Sequence, residues 1–357
     1  MSSDEWTSDD FSEKAKLLSE KISHVDVSQS TNLHDLLVFF QKTSFQSRNL
    51  AKSLEIYKKM LSDSEAVIFL GLSGALVPGG MRKILTDMVR RRFVDVVVST
   101  GANLYHDFLE ASGGHHYIER ERNDDYKLWD LEIDRIYDTL LDDTQATKTD
   151  VFFADFPEKL EKRVYSTREF LQKVGESIHD NDSFIRACTE EGVPLFCPTL
   201  HDSGIGIGLS LYYSRHREKG RFMIDLSRDN YEIMQICHKA NVTGIVILGG
   251  GVPKNYIQQI EPMLWVNGHE QKNGHKYAIQ ITTDDPKWGG LSGCTFSEAK
   301  SWGKIEKDAD TATVYVDCTI GLPLLVGALI NCNVASERKK RVFQWNADTL
   351  ADLLYHG

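Results

Sequence analysis

The sequence predicts an α/β protein: a doubly wound, mostly parallel sheet with helices on both faces, a helical N-terminal layer and a helical insert. Three observations lead there. Short apolar runs such as "AVIFLGL", "VDVVVST" and "TGIVILGGG" alternate with stretches whose apolar residues recur at helical spacing. That is the rhythm of buried strands joined by crossover helices. Glycine, Ser, Thr and Asp cluster just after the strand candidates, where tight βα turns are made. Finally, 357 residues with 41% hydrophobic content are enough to bury a full core.

In chain order, residues 1–30 are rich in Ser, Asp, Glu and Lys and predict a flexible arm with one short helix around Phe11 to Ile22. Residues 31–357 are predicted to form a single domain built on one sheet. From Asn32 to Leu61 the spacing of Leu33, Leu36, Leu37 and Phe40, then Leu50, Leu54, Tyr57 and Leu61, predicts helices packed on one face. Strand "AVIFLGL", helix "MRKILTDMVRR", strand "VDVVVST" and helix "NLYHDFLEA" follow. A polar insert at about 113–150 interrupts the rhythm, with a helix predicted over Leu128 to Leu141. It resumes with strand "VPLFCPT", a loop and helix in "GIGIGLSLYYSRH", helix "YEIMQICHKA", strand "TGIVILGGG" and helix "PKNYIQQIEPML". Strand "YAIQITT" and the strand and apolar helix of "TVYVDCTIGLPLLVGAL" complete it.

The charge balance of 41 basic against 52 acidic side chains, net −11, gives no pull toward nucleic acid or anionic lipid, and a cation is the easier charged substrate. No apolar run reaches the roughly 18 residues of a membrane span, and the first residues lack a signal-peptide core. A soluble cytoplasmic protein is expected. The six cysteines contain no CxxC pair, so neither a zinc clip nor a disulfide framework is expected. The adjacent His115 and His116 read as a solvated loop pair, and Asp124, Asp125, Asp130, Glu132 and Asp134 as a solvated helix face.

In an open parallel sheet, ligands bind beyond the carboxyl ends of the strands. The candidate segments are therefore Leu72–Gly74, "STGAN" at 99–103, "LHDSG" at 200–204, Gly249–Gly251, "TTDD" at 282–285 and "DCT" at 317–319. Their glycines allow close backbone approach, though no GxGxxG fingerprint is present and any α/β sheet needs glycines in its turns. Lys304, in "SEAKSWGKIEK", stands apart. It is either an ordinary solvated lysine or an amine desolvated against Trp302, with Gly303 and Glu298 nearby, and a lysine with a lowered pKa is a Schiff-base nucleophile.

The segments "SEAKSWGKI", "VYVDCTIGLPLLV", "ILGGGVPKN" and "FLGLSGALVPGGMR", in this order-preserving span from about Ala66 to Leu329, resemble deoxyhypusine synthase. The resemblance implies a Rossmann-like, NAD-dependent enzyme that dehydrogenates spermidine, takes its aminobutyl fragment onto a lysine as an imine, and passes it to an acceptor amine. It identifies Lys304 with the imine-forming lysine, and Trp302 and Glu298 with the aromatic and carboxylate that hold the polyamine. It assigns NAD to Ser73, Thr100 with Gly101, Asp202, Gly249, Gly250, Gly251, Thr283, Ser292 and Asp317. It also implies a homotetramer with NAD sites at subunit contacts, and an arm able to cover the tunnel mouth.

Departures are equally specific. Asn255 stands where the family has a histidine, His106 replaces a glutamate, and Ile207 and Leu291 occupy places of polyamine-binding acids. An apolar side chain cannot neutralise a buried ammonium. His106, Asn255, Asp107 and Asp284 are the candidates for altered polar contacts to substrate. "STGANLYHD", "PKNY" and "GGLSG" are similar to a synthase-like branch common in bacteria. The expected function is aminobutyl transfer to a small diamine, as in homospermidine formation. Modification of a translation-factor lysine and a non-catalytic NAD-binding paralogue are the alternatives.

Overall fold

The computed structural model describes residues 8–218, 221–269 and 274–356. Residues 1–7 of the expected arm lie outside them. The helix expected over Phe11 to Ile22 runs over Ser8–Leu17. Downstream, Leu17, Leu18, Ile22 and Val27 are exposed.

Six parallel strands form the central sheet: β1 (Ala66–Leu72), β2 (Val96–Thr100), β3 (Leu195–Thr199), β4 (Val242–Leu248), β5 (His275–Thr282) and β6 (Ile305–Tyr315). Their spatial order is β6-β5-β4-β1-β2-β3. Read from the other edge this is 3-2-1-4-5-6, the doubly wound order of dinucleotide-binding folds, whose crevice opens where the order reverses, between β1 and β4.

The continuous apolar character of β1, β2 and β4 follows from burial on both faces, whereas the edge strand β6 carries Glu306, Lys307, Asp308 and Asp310. Along β1, Ile68, Leu70 and Leu72 join one core while Val67 and Phe69 join the other. The first core packs under the predicted N-terminal helices, Leu33–Phe40 and Phe45–Ser62, and under the apolar helix Cys318–Cys332. The second lies against helices Leu226–Lys239, Gly251–Gln258 and Ile260–Val266. Each fully buried large side chain contributes about 1.5–3 kcal/mol of transfer free energy. No helix among the described residues is long and apolar enough to cross a membrane.

Three local expectations need correction. Leu128 to Leu141 is not one helix: a short helix Asp125–Asp130 gives way to antiparallel strands Ile133–Ile136 and Thr139–Asp142, with His116–Ile118 paired on the outer side. Glu132 and Tyr137 take left-handed backbone (φ 55 and 53), which ends the helix and turns the hairpin. The acids expected on a single helix face are thereby dispersed, Asp124 capping the short helix and Asp125 pairing Arg135 at 2.7 Å. "GIGIG" is helical from Gly204 rather than a loop.

The pair His115–His116 divides: His115 precedes the strand His116–Ile118, and His116 opens it. His115 is exposed, whereas the His116 ring is buried, with Nδ1 2.6 Å from Glu110 Oε1 and Nε2 2.9 Å from His106 Nδ1. A C-terminal hairpin, Lys340–Asn346 with Thr349–His356, completes the chain and adds Leu350 and Leu353 to the second core.

Candidate active site

The crevice at the β1/β4 switch point is built from turn residues of both strands. Ser73 follows β1, and Gly249 to Gly251 follow β4. Gly249 (φ 77) and Gly251 (φ 52) take backbone conformations that side chains resist. Gly250 lies so close to the loop after β5 that an added Cβ would stand 2.4 Å from the Ser292 Cα. Two serine hydroxyls reach into this turn: the Gly250 N–H donates to Ser73 Oγ (3.2 Å) and the Gly251 N–H to Ser292 Oγ (2.9 Å). Ser73 Oγ also donates to the Gly250 carbonyl.

The other cofactor candidates continue along the same carboxyl edge. Thr100 precedes the helix Gly101–Ala111 and donates to the Gly74 carbonyl at 2.7 Å, while Gly101 packs against Ser203. Buried Asn103, one turn into that helix, ties the same turn down, accepting from the Leu76 N–H (2.7 Å) and donating to Gly74 O (3.0 Å). Asp202 is exposed after β3, and Thr283 is exposed after β5. Asp317 caps the helix Cys318–Cys332 through the Thr319 N–H at 2.8 Å. A cradle too tight for side chains at a topological switch point, rimmed by hydroxyls, fits a dinucleotide's backbone.

Lys304 lies elsewhere in the strand direction. It immediately precedes β6, and the His275 N–H of β5 donates to its carbonyl at 3.1 Å, so it stands at the amino end of the sheet. Gly303, expected to give close approach, serves instead by its left-handed φ of 67: it ends the helix Phe296–Lys300 and turns the chain into β6. The Lys304 Nζ sits 5.2 Å from the centre of the Trp302 ring and donates to Asn255 Oδ1 at 3.4 Å. A cation over an indole face gains roughly 0.5–2 kcal/mol depending on desolvation. Trp302 is 63% exposed, and Glu298 is also exposed, at the start of the same short helix. Asn255 holds Lys304 from the second turn of the helix Gly251–Gln258, whose first turn leaves the glycine cradle. That helix connects the two halves of the candidate site.

Two expected substrate contacts are occupied otherwise. Asp107 is fully buried and accepts from Arg82 Nε (2.7 Å), Ser183 Oγ (2.6 Å) and the Ile185 N–H (3.1 Å). Burial pushes its carboxyl up, and these three donors oppose that. It fastens helices together and offers nothing to a ligand. His106 is 92% hidden and bonded to His116. Burial, reinforced by His116, lowers its pKa from 6.5 to about 4, against the opposing charge of Glu110.

His106 is therefore neutral at pH 7. Because the unfolded ring takes up its proton near 6.5 and the folded ring only near 4, this residue's contribution to stability falls as pH drops through that window. His275, fully buried, is held at about 4 by burial as well. In side-chain NMR both rings are expected to remain neutral down to about pH 5. A midpoint near 6.5 for either ring contradicts this burial.

Sequence reasoning missed Lys254 and Gln280, which lie beneath the cradle. Both are almost wholly buried, and Lys254 Nζ donates to Gln280 Oε1 at 2.8 Å. The charges of Glu298, Asp284 and Lys304 all act on Lys254.

The deoxyhypusine synthase family model matches residues 35–329. "Probable deoxyhypusine synthase 2" of Methanosarcina mazei is 40% identical over 337 residues, covering 93% of this chain and 96% of the relative. Its namesake from Archaeoglobus fulgidus is 43% identical over 291 residues, 81% of this chain and 95% of the relative. A "Deoxyhypusine synthase-like protein" from Chlorobaculum tepidum is 37% identical over 320 residues, covering 88% and 91%. A crystal structure from Entamoeba histolytica that bears the deoxyhypusine synthase name shares the fold, with a TM-score of 0.59 at 19% identity over 86% of this chain and 96% of that one.

Proposed function

The chain belongs to the deoxyhypusine synthase family, a family of transferases, and from that membership we propose that it is an NAD-dependent aminobutyl transferase that draws on spermidine and delivers the fragment to a small diamine. The observation that carries this reading is the seating of the Lys304 amine between the Trp302 face and the Asn255 amide. A lysine that holds the transferred fragment must be positioned without being locked in an ion pair, and a ring face with one long hydrogen bond does that.

When bound, NAD supplies a hydride acceptor for the carbon beside the donor's amine. Gly249 to Gly251, Ser73, Thr100 and Ser292 would hold it, with Gly101, Asp202, Thr283 and Asp317 along the same edge. The Gly250 and Gly251 N–H groups, which donate to the Ser73 and Ser292 hydroxyls, are positioned to turn to ligand oxygens instead. Lys304 attacks the oxidised carbon as the free amine, and diaminopropane leaves as the imine on Lys304 forms. The acceptor amine then takes the place of Lys304 in the imine, releasing the lysine as a free amine, and the hydride first removed from the donor returns to the new imine, so that a secondary amine forms with no net oxidation.

Trp302 and Glu298 stack on and neutralise the ammonium groups of the substrate. Asn255 accepts from Lys304 and orients it, but an amide does not take up a proton at neutral pH. The proton of the attacking amine therefore leaves to another base or to water.

A homotetramer is the assembly we favour. The separation of Lys304, at the amino end of the sheet, from the cradle at the carboxyl end supports a site completed by a second copy. The exposure of Trp302 on the surface is consistent with that. A small acceptor is supported by the apolar residues Ile207 and Leu291, both exposed, at positions where the resemblance expects acids.

The test is product analysis after incubation with NAD, spermidine and either putrescine or a hypusine-type translation factor. Homospermidine from putrescine, with the factor unmodified, is the expected outcome. Alkylation of the factor lysine with no homospermidine overturns the choice of acceptor.

A further inference from the structure

Lys254 lies in the first turn of the helix Gly251–Gln258 and is 1% exposed. Its Nζ donates to Gln280 Oε1 (2.8 Å), to the Ser292 carbonyl (3.4 Å) and to the Cys294 carbonyl. Three acceptors around one nitrogen match the three N–H groups of an ammonium, and a neutral amine would leave one acceptor bare. Burial pulls the group down to about 8, the neighbouring Cys294, Glu298 and Asp284 oppose that, and Lys304 adds to it. Both observations keep Lys254 charged at pH 7. With every proton committed to the protein, it is not a base for Lys304.

Gln280, on β5, completes the arrangement. Its Oε1 is taken by Lys254, and its Nε2 donates to the Gly249 carbonyl and the Ser292 carbonyl, each at 2.7 Å. Thus one amide and one ammonium join the end of β4, the middle of β5 and the loop carrying Ser292 and Cys294. That loop leads directly into the helix with Glu298 and then to Trp302 and Lys304. The next residue along the helix, Asn255, receives the Lys304 amine.

We propose that Lys254 and Gln280 form a buried latch that clamps the Gly290–Cys294 loop onto the glycine cradle, making Lys254 a positioning residue for the cofactor crevice. Removing either member leaves buried polar atoms bare, so the loop gains an open state in which Ser292 no longer faces Gly251. The proposed consequence for NAD rests on the function argued above, whereas the latch itself does not.

The first test therefore uses the full chain without ligand. In Lys254→Met, hydrogen exchange of the Gly251 and Gly290–Cys294 amides is expected to accelerate by about tenfold or more, with β1 amides unchanged within about twofold as the internal reference. Loop and β1 amides accelerating together, or neither doing so, overturns the latch. If Lys254→Met does not fold, Gln280→Met breaks the same latch from the strand side and must give the same selective pattern.

In protein loaded with NAD, both variants are expected to raise the NAD Kd by about tenfold or more while the maximal rate at saturating NAD changes by less than about threefold, the split of a group that acts on binding. Loss of maximal rate with unchanged Kd contradicts a positioning role. A selective loop effect with no NAD binding by the unsubstituted protein upholds the latch and removes the cofactor reading.

Discussion

Lys304→Ala is expected to reduce aminobutyl transfer by at least about a thousandfold, as loss of a covalent nucleophile does. Reduction of NAD by spermidine should survive in the same variant, because oxidation of the donor precedes attack by the lysine. The split follows from position: Lys304 stands at the amino end of β5 and β6, away from the cradle at their carboxyl ends, so removing its side chain leaves the glycine turn and its serines intact. Measuring NADH formation and secondary-amine product in parallel separates the steps. A solvated lysine with no part in the reaction would change neither by more than about twofold. Equal loss of both would mean that Lys304 holds the donor before oxidation, which contradicts the assigned role.

The largest expected effect on stability lies at the amino ends of β1 and β2. Asp95→Ala is expected to cost about 3–5 kcal/mol, the range for breaking a buried ion pair from one side. The Asp95 carboxylate accepts from Arg338 at 2.8 and 2.6 Å and from the Ile68 N–H at 2.7 Å, and both charged side chains are almost wholly buried. Arg338 also donates to the Arg92 and Ala66 carbonyls, so the guanidinium would keep partners for some N–H groups and lose its only counter-charge in that set. This pair fixes the segment after the apolar helix to the amino ends of β1 and β2. Urea unfolding should show a lower midpoint at unchanged slope. A loss below about 1 kcal/mol would show that water or a neighbouring carboxylate replaces Asp95.

How much of this was legible beforehand depends on whether a residue's environment is written in its neighbours. The inner strands were, because burial on both faces demands apolar runs and the crossovers demand glycines after them, whereas β6 was legible only in its final alternating stretch, since Glu306, Lys307, Asp308 and Asp310 occupy its first half. The turn at Gly249 to Gly251 was legible as a turn for the same reason, but its use was not, because any α/β sheet needs glycines there. The insert was not. Leu128, Ile133, Ile136, Leu140 and Leu141 can be read at helical spacing, and nothing in Glu132 or Tyr137 announces left-handed backbone, since neither residue favours it.

The C-terminal hairpin escaped similarly. A register shift between Gln344 and Trp345 disrupts strict alternation, and the turn uses Ala347 at φ 55 rather than glycine. Lys254 is the instructive case at the site. A lysine in a helix is ordinarily solvated, and what buries this one is Gln280 and two carbonyls 38 and 40 residues downstream. Conversely, Asp107 and His106 drew attention by type and position, and tertiary partners absorbed both.

The central claim is that Lys304 carries the transferred fragment, and intact-mass analysis after incubation with NAD and spermidine, followed by borohydride trapping and peptide mapping, tests it most directly. The account predicts a butylamine-sized increment on Lys304 that requires NAD and is absent from Lys304→Ala. No increment in protein that binds NAD, or an increment on a different lysine, would contradict it.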